Sequence, residues 1–63
     1  MKKAYIIKDL VDNTYLWSIH GRFAWVDEAV CATFFISREE AEMLITSGVL
    51  KVSVAMVFEI YAR

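Results

Sequence analysis

The C-terminal stretch from Leu50 to Arg63 alternates apolar residues at every second position. This two-residue period is typical of a β-strand with one buried face. We expect a helix to cover the face that carries Val52, Val54, Met56, Phe58 and Ile60.

The opposite face of this strand is only half polar. Lys51, Ser53, Glu59 and Arg63 suit water, but the residues at the centre of this face are apolar. A single helix of about ten residues is roughly 15 Å long and covers only one face of a small sheet. An apolar patch on the second face is of the kind that marks an interface. We therefore predict self-association, by pairing of faces or of edge strands, with these candidate residues: Ala55, Val57 and Tyr61.

The N-terminal third of the chain predicts a β-hairpin. Lys3–Lys8 and Thr14–Ile19 are rich in β-branched and aromatic residues, which favours strands. Asp12 and Asn13 lie between them and suit a tight turn. Gly21 ends the second strand, because glycine adopts conformations closed to other residues.

A capping box begins the one convincing helix. The Ser37 hydroxyl is expected to accept from the Glu40 amide, with the Glu40 side chain reaching back. Gly48 is placed to end the helix in a left-handed conformation after about three turns. The apolar stripe of this helix consists of Ala41, Leu44 and Ile45.

The stretch 27–33 is ambiguous, because its apolar run suits a strand while Asp27 suits the cap of a short helical turn. We favour the helical turn and treat residues 1–63 as a single domain. The predicted fold is α+β, with about three antiparallel strands and one capped helix on one face. The element order is strand, strand, short helical turn, helix, strand.

Composition limits the classes of protein to which this chain can belong. A chain of 63 residues is near the lower limit for independent folding, and its single cysteine excludes an internal disulfide. Because 59% of residues are hydrophobic, we expect a homo-oligomer. The net charge of −1 argues against a nucleic-acid partner.

Hydropathy predicts a cytoplasmic protein. The apolar run after Lys3 stops at Lys8, short of a signal-peptide core. Lys51 and Glu59 interrupt the most apolar window, so no membrane partner is expected.

We find no motif for catalysis, a cofactor or a metal. His20 and Cys31 are the single histidine and cysteine, and they would need a third group to form a nucleophilic pair. Acidic residues near helix starts are explained by the helix dipole. We therefore expect a protein that is not an enzyme.

Aromatic residues are the best candidates for partner binding. Tyr15 and Trp17 share one face of the second strand, and Phe23 and Trp25 are expected in a loop beside Arg22. If exposed, they would act as rigid interface anchors. The more ordinary interpretation is that they pack in the core, because a domain this small needs large side chains to bury enough area.

The order of Tyr5-Ile6-Ile7-Lys8, Tyr15-Leu16, Trp25 and the segment from Ala32 to Ala41 resembles small accessory proteins encoded by phages and prophages. This resemblance covers residues 5 to about 45. It implies a viral accessory role and an α+β fold, and it assigns no functional residue.

Two classes of function follow as expectations. The first is an interaction protein that binds and inhibits a host defence or regulatory protein. The second is an oligomer that holds a small ligand, such as a nucleotide signal, at its subunit junctions. A purely structural component is the third alternative.

Overall fold

The computed structural model describes residues 2–52 and 54–62 of the chain. It confirms the α+β class, with an antiparallel sheet of four strands rather than three in the order β3-β2-β1-β4. The elements are β1 (Lys2–Asp9), β2 (Thr14–Ile19), β3 (Arg22–Val26), a 3₁₀ turn (Ala29–Cys31), α1 (Arg38–Thr46) and β4 (Ala55–Ala62).

The additional strand is β3, which the sequence predicted as an aromatic loop. His20 and Gly21 connect it to β2, and both have positive φ angles, 49° and 76°. Two consecutive residues of this kind form the tight turn that matches the twist of a hairpin. The chain therefore reverses at once, and β3 pairs with β2 along its whole length.

The predicted hairpin of β1 and β2 is confirmed, although the two strands pair only beside their turn. Their register partners are Lys8 with Tyr15 and Asp9 with Thr14. In the turn, Asn13 has a φ of 59° and the Asp9 carboxylate accepts from the Val11 amide at 3.0 Å. Short polar side chains of this type stabilise turns by bonding local backbone.

Thr33 and Phe35 bond to the parts of β2 and β1 that do not pair with each other. Phe35 and Tyr5 exchange two backbone hydrogen bonds of 2.8 and 3.0 Å. The Thr33 amide donates to the Leu16 carbonyl at 2.9 Å, and its hydroxyl bonds both backbone groups of Ser18. These bonds satisfy backbone groups that would otherwise lack a partner.

The stretch 27–33 contains the favoured helical turn, but its cap differs from the prediction. Glu28, rather than Asp27, precedes the 3₁₀ turn, and no side-chain hydrogen bond caps it. The turn therefore depends on backbone bonds, in which Cys31 donates to Glu28 and Ala32 donates to Ala29.

Helix α1 forms as predicted, but with only half of the capping box, because the Glu40 side chain makes no hydrogen bond back to Ser37. Ser37 is extended, and its hydroxyl accepts from the Glu40 amide at 3.2 Å. At the other end Gly48 has a φ of 81° and donates to the Ile45 carbonyl at 3.2 Å. The polar cap and the left-handed glycine thus fix both ends of the helix.

The helix covers the face of β4 that was predicted to be open, so our assignment of faces was wrong. Val57 is buried in one cluster with Ala41 of α1, and Ala55 packs against that cluster. Met56 and Phe58, predicted beneath the helix, are exposed. Among the described residues, the buried core cluster consists of Ile7, Leu16, Ala41, Leu50 and Val57.

The final strand is also shorter than predicted. Leu50 belongs to the turn after α1 and is buried, and Lys51 has a φ of 52°, which breaks an extended run. Leu50 and Lys51 therefore do not continue the alternation of β4. Ser53 and Arg63, which the sequence placed on the polar face of this strand, lie outside the described residues.

Candidate interaction surface

We use the term open face for the side of the sheet opposite α1. The register of the strands defines it, because residues directly opposite each other point to the same side. β3 contributes Arg22, Ala24 and Val26 to the open face, and the other three strands contribute Lys2, Ala4, Ile6, Lys8, Tyr15, Trp17, Ile19, Met56, Phe58 and Ile60.

The open face is apolar and partly exposed. Ile6 is only 3% exposed, although it belongs to this face and lies outside the core cluster. Phe58 is its register partner and is 38% exposed, and Met56 on the same strand is 49% exposed. Large apolar side chains of this face thus remain partly in contact with water, and exposed apolar patches mark interaction sites.

Lys8 lies between two aromatic rings at the middle of the open face. Its Nζ atom is 5.4 Å from the centre of the Tyr15 ring and 5.9 Å from that of Phe58. Both distances are within the range of cation–π attraction. The rings hold the ammonium group among apolar side chains, where it can meet an incoming negative charge.

The two sides of the sheet differ in net charge, although Lys3 and Arg38 place basic groups on the helix side as well. The charged residues that the described strands place on the open face are all basic: Lys2, Lys8 and Arg22. The other side carries the exposed carboxylates of α1, which are Glu39, Glu40 and Glu42. The open face is therefore positively charged, although the net charge of the chain is −1.

The structure separates the aromatic residues that the sequence grouped for partner binding. Tyr15 and Trp17 lie on the open face with Arg22. Trp25 lies opposite Leu16 on the helix side and packs against the core cluster. Phe23 lies opposite Ser18, also on the helix side, and is 41% exposed.

Sequence reasoning missed the contribution of β1 and β4 to this surface. Lys8 and Phe58 join Tyr15 only because β1 lies between β2 and β4 in the sheet. The alternation of β4 indicated that Phe58 shares a face with Met56 and Ile60, but no signal in the sequence gave the strand order.

Apart from the open face, a groove lies between α1 and β4. It is an open groove of about 330 Å³ lined by Glu42, Ile45, Thr46, Ala55, Met56 and Val57. Tyr61 shares the helix side of β4 with Ala55 and Val57, but it is 61% exposed. The groove therefore follows the outer edge of the sheet.

Within residues 2–52 and 54–62, no group of three or more His, Cys, Asp or Glu side chains is arranged to hold a metal ion. No helix in these ranges is long and apolar enough to cross a membrane. Comparison of the chain with protein-family models, curated proteins and solved structures found no match.

Proposed function

We propose that this protein is a non-enzymatic interaction module that acts as a homo-oligomer in the cytoplasm. It binds a host protein through the open face and inhibits it. The observation that carries this proposal is the Lys8 ammonium group held between the rings of Tyr15 and Phe58.

The composition of the open face supports a protein partner. Aromatic side chains and arginine concentrate binding energy at protein interfaces. Trp17 and Phe58 supply apolar area, while Lys8 and Arg22 supply charge without an acidic neighbour on the same face. The partner surface that complements this arrangement is apolar, with one acidic group opposite Lys8 at its centre and another opposite Arg22 near its edge.

The identity of the partner class rests on the resemblance to phage and prophage accessory proteins. A small viral protein acts most directly by occupying a surface on a host defence or regulatory protein. An acidic surface is a suitable target, because charge complementarity speeds association and excludes other partners.

Charge reversal on the open face tests the proposal. Tagged protein with Arg22→Glu is compared with unmodified protein for capture of a stoichiometric host protein. Lys51→Glu is the matched control, because Lys51 is also exposed but lies outside the sheet. We expect Arg22→Glu alone to weaken capture, and more so at low salt, because surface charges are screened by ions.

Equal capture by both variants, with both folded, would contradict binding through the open face. Binding to random duplex DNA that weakens steeply with salt would contradict the protein partner.

A second candidate function also has support on the open face. A positive group between aromatic rings suits an anionic ligand with a stacking ring, such as a nucleotide signal. In that case the oligomer would sequester the ligand. Protein purified without denaturation would then release an ultraviolet-absorbing small molecule on unfolding, and Lys8→Ala would purify without it.

A further inference from the structure

The outer edge of β4 presents unpaired backbone groups in a defined order. The Leu10 amide donates to the Val54 carbonyl at 3.0 Å, so the backbone groups of residue 54 point toward the β1 side. In an antiparallel pair this orientation alternates along the strand. The N–H and C=O groups that point away from the sheet therefore belong to Ala55, Val57, Glu59 and Tyr61.

The described part of β4 has little that protects this edge from pairing. The strand pairs with β1 without a bulge from Lys2–Ala62 to Asp9–Ala55, and the chain contains no proline. Glu59 is the one charged residue of β4, and its carboxylate lies 3.8 Å from the Lys3 ammonium group. Natural proteins usually block exposed edges with charge, proline or bulges. An edge with a single charged residue, which lies beside the basic group of Lys3, is suited to pairing.

We propose that β4 pairs with β4 of a second copy, antiparallel, around a two-fold axis at Phe58. This inference rests on the homo-oligomer in the proposed function and assigns its interface. Two sheets of four strands would become one continuous sheet.

The alternative registers are less favourable. A two-fold axis at Glu59 places that carboxylate opposite its own copy, and like charges directly opposite each other destabilise a strand pair. An axis at Val57 pairs only residues 55–59 of the strand and brings the partner's Glu59 beside the groove that contains Glu42. An axis at Phe58 pairs all of residues 55–61 and opposes no like charges.

The groove between α1 and β4 supports the same register. An axis at Phe58 places the partner's Tyr61 opposite Ala55, whose small side chain helps to leave the groove open. Tyr61 is exposed, and its hydroxyl has only a long bond of 3.3 Å to Glu59. In the pair, its ring can lie along Ile45, and its hydroxyl can donate to Glu42. Symmetry repeats this contact on the other side of the axis.

The exposed surface of the single chain is consistent with an assembly. Its accessible area is 4633 Å². A monomer of 7.3 kDa is expected to expose roughly 4200 Å².

Edge pairing also keeps the proposed binding surface free. A two-fold axis perpendicular to the sheet leaves both open faces on the same side, where they form one larger surface. Direct packing of two open faces would instead bring Lys8 and Arg22 toward a second positive surface. The edge dimer therefore separates self-association from partner binding.

Disulfide cross-linking tests the register in a Cys31→Ser background. At the axis, Phe58→Cys places two thiols in a directly opposed pair whose Cβ atoms are about 4.5–5.5 Å apart. We expect a covalent dimer on oxidation. Glu59→Cys is the control and should stay unlinked, because its copies would be diagonal. Ready linking at Glu59 in place of Phe58 would overturn the register.

A mixture of Met56→Cys and Ile60→Cys proteins provides a second measurement if Phe58→Cys does not fold. The proposed axis places these two positions opposite each other, so the mixture should link while each protein alone should not. Links within either protein alone, and none in the mixture, would overturn the proposal.

Light scattering tests the dimer itself. The unmodified protein should be dimeric at tens of micromolar, and Tyr61→Ala should raise the dissociation constant about tenfold or more, as expected for a buried aromatic anchor. Phe23→Ala removes an exposed aromatic from β3 and should leave the constant unchanged. A monomeric unmodified protein would overturn this inference. A stable dimer whose host capture is insensitive to Arg22→Glu would instead count only against the proposed binding surface.

Discussion

Ile7 and Val57 are register partners on β1 and β4, and both are buried in the cluster that contains Ala41 of α1. This pair fixes the orientation of the whole final strand. Because side chains alternate across a strand, burial of Val57 under α1 places Met56 and Phe58 on the open face. The exposed aromatic surface is thus a direct consequence of which side of β4 the helix covers.

Charge substitution at neighbouring positions of β4 measures this orientation. Val57→Asp places a carboxylate in the core without a partner, which we expect to lower the free energy of unfolding by about 4 kcal/mol or more. Met56→Asp is the matched control. Met56 is half exposed and is the register partner of Lys8, so its cost should be about 1 kcal/mol or less.

Urea denaturation followed by circular dichroism measures both variants. With a total stability of roughly 5–15 kcal/mol, Val57→Asp should be partly or wholly unfolded in buffer. A greater loss of stability for Met56→Asp than for Val57→Asp would show that the helix packs on the face of Met56, as the sequence predicted.

The sequence could not choose the face of β4, because both faces carry apolar residues. The polar residues that suggested an open side do not lie where the helix packs. Lys51 precedes β4, and Glu59 lies toward the far end of the strand. Helix α1 has nine residues and is about 14 Å long, so it covers Val57 while leaving Tyr61 exposed.

The sequence predicted most accurately the elements whose ends carry capping or turn residues. The limits of β2 and both ends of α1 agree with the prediction, because turn residues, a hydroxyl cap and a glycine mark them. β3 was missed because it has only five residues and follows a His-Gly turn, which is not a standard hairpin signal. That omission also placed Trp25 in a loop rather than against the core.

The Thr33 hydroxyl satisfies both backbone groups of Ser18 in β2. The Ser18 amide donates to Thr33 Oγ1 at 2.6 Å, and this hydroxyl donates to the Ser18 carbonyl at 2.9 Å. Thr33→Val keeps the shape and removes both bonds. We expect a loss of about 1–3 kcal/mol, because partly buried backbone groups lose their partner.

Hydrogen exchange at the Ser18 amide distinguishes this effect from a general loss of stability. Thr33→Val should accelerate exchange at Ser18 beyond the change at core amides such as Leu16. Thr33→Ser keeps the hydroxyl and should preserve protection at Ser18. Equal acceleration throughout β2 in Thr33→Val would contradict a local role for this hydroxyl.

The turn between β2 and β3 depends on two consecutive residues with positive φ, His20 and Gly21. Gly21 has a φ of 76°, and a methyl group added there would meet no atom within 4 Å. The cost of Gly21→Ala is therefore confined to the backbone, about 1–2 kcal/mol for an L-residue in the left-handed region. A chain of 63 residues can be made by chemical synthesis, so D-alanine at position 21 is the control.

D-alanine favours positive φ and restricts the unfolded chain, so it should raise stability by about 0.4–1 kcal/mol relative to glycine. His20→Asn should stabilise the same turn, because asparagine tolerates the left-handed region better. Thermal melts of the three variants should thus rank D-alanine above glycine and L-alanine below it, with His20→Asn above the unmodified chain. Equal melts for the two alanine enantiomers would show that this turn does not hold β3 in the sheet.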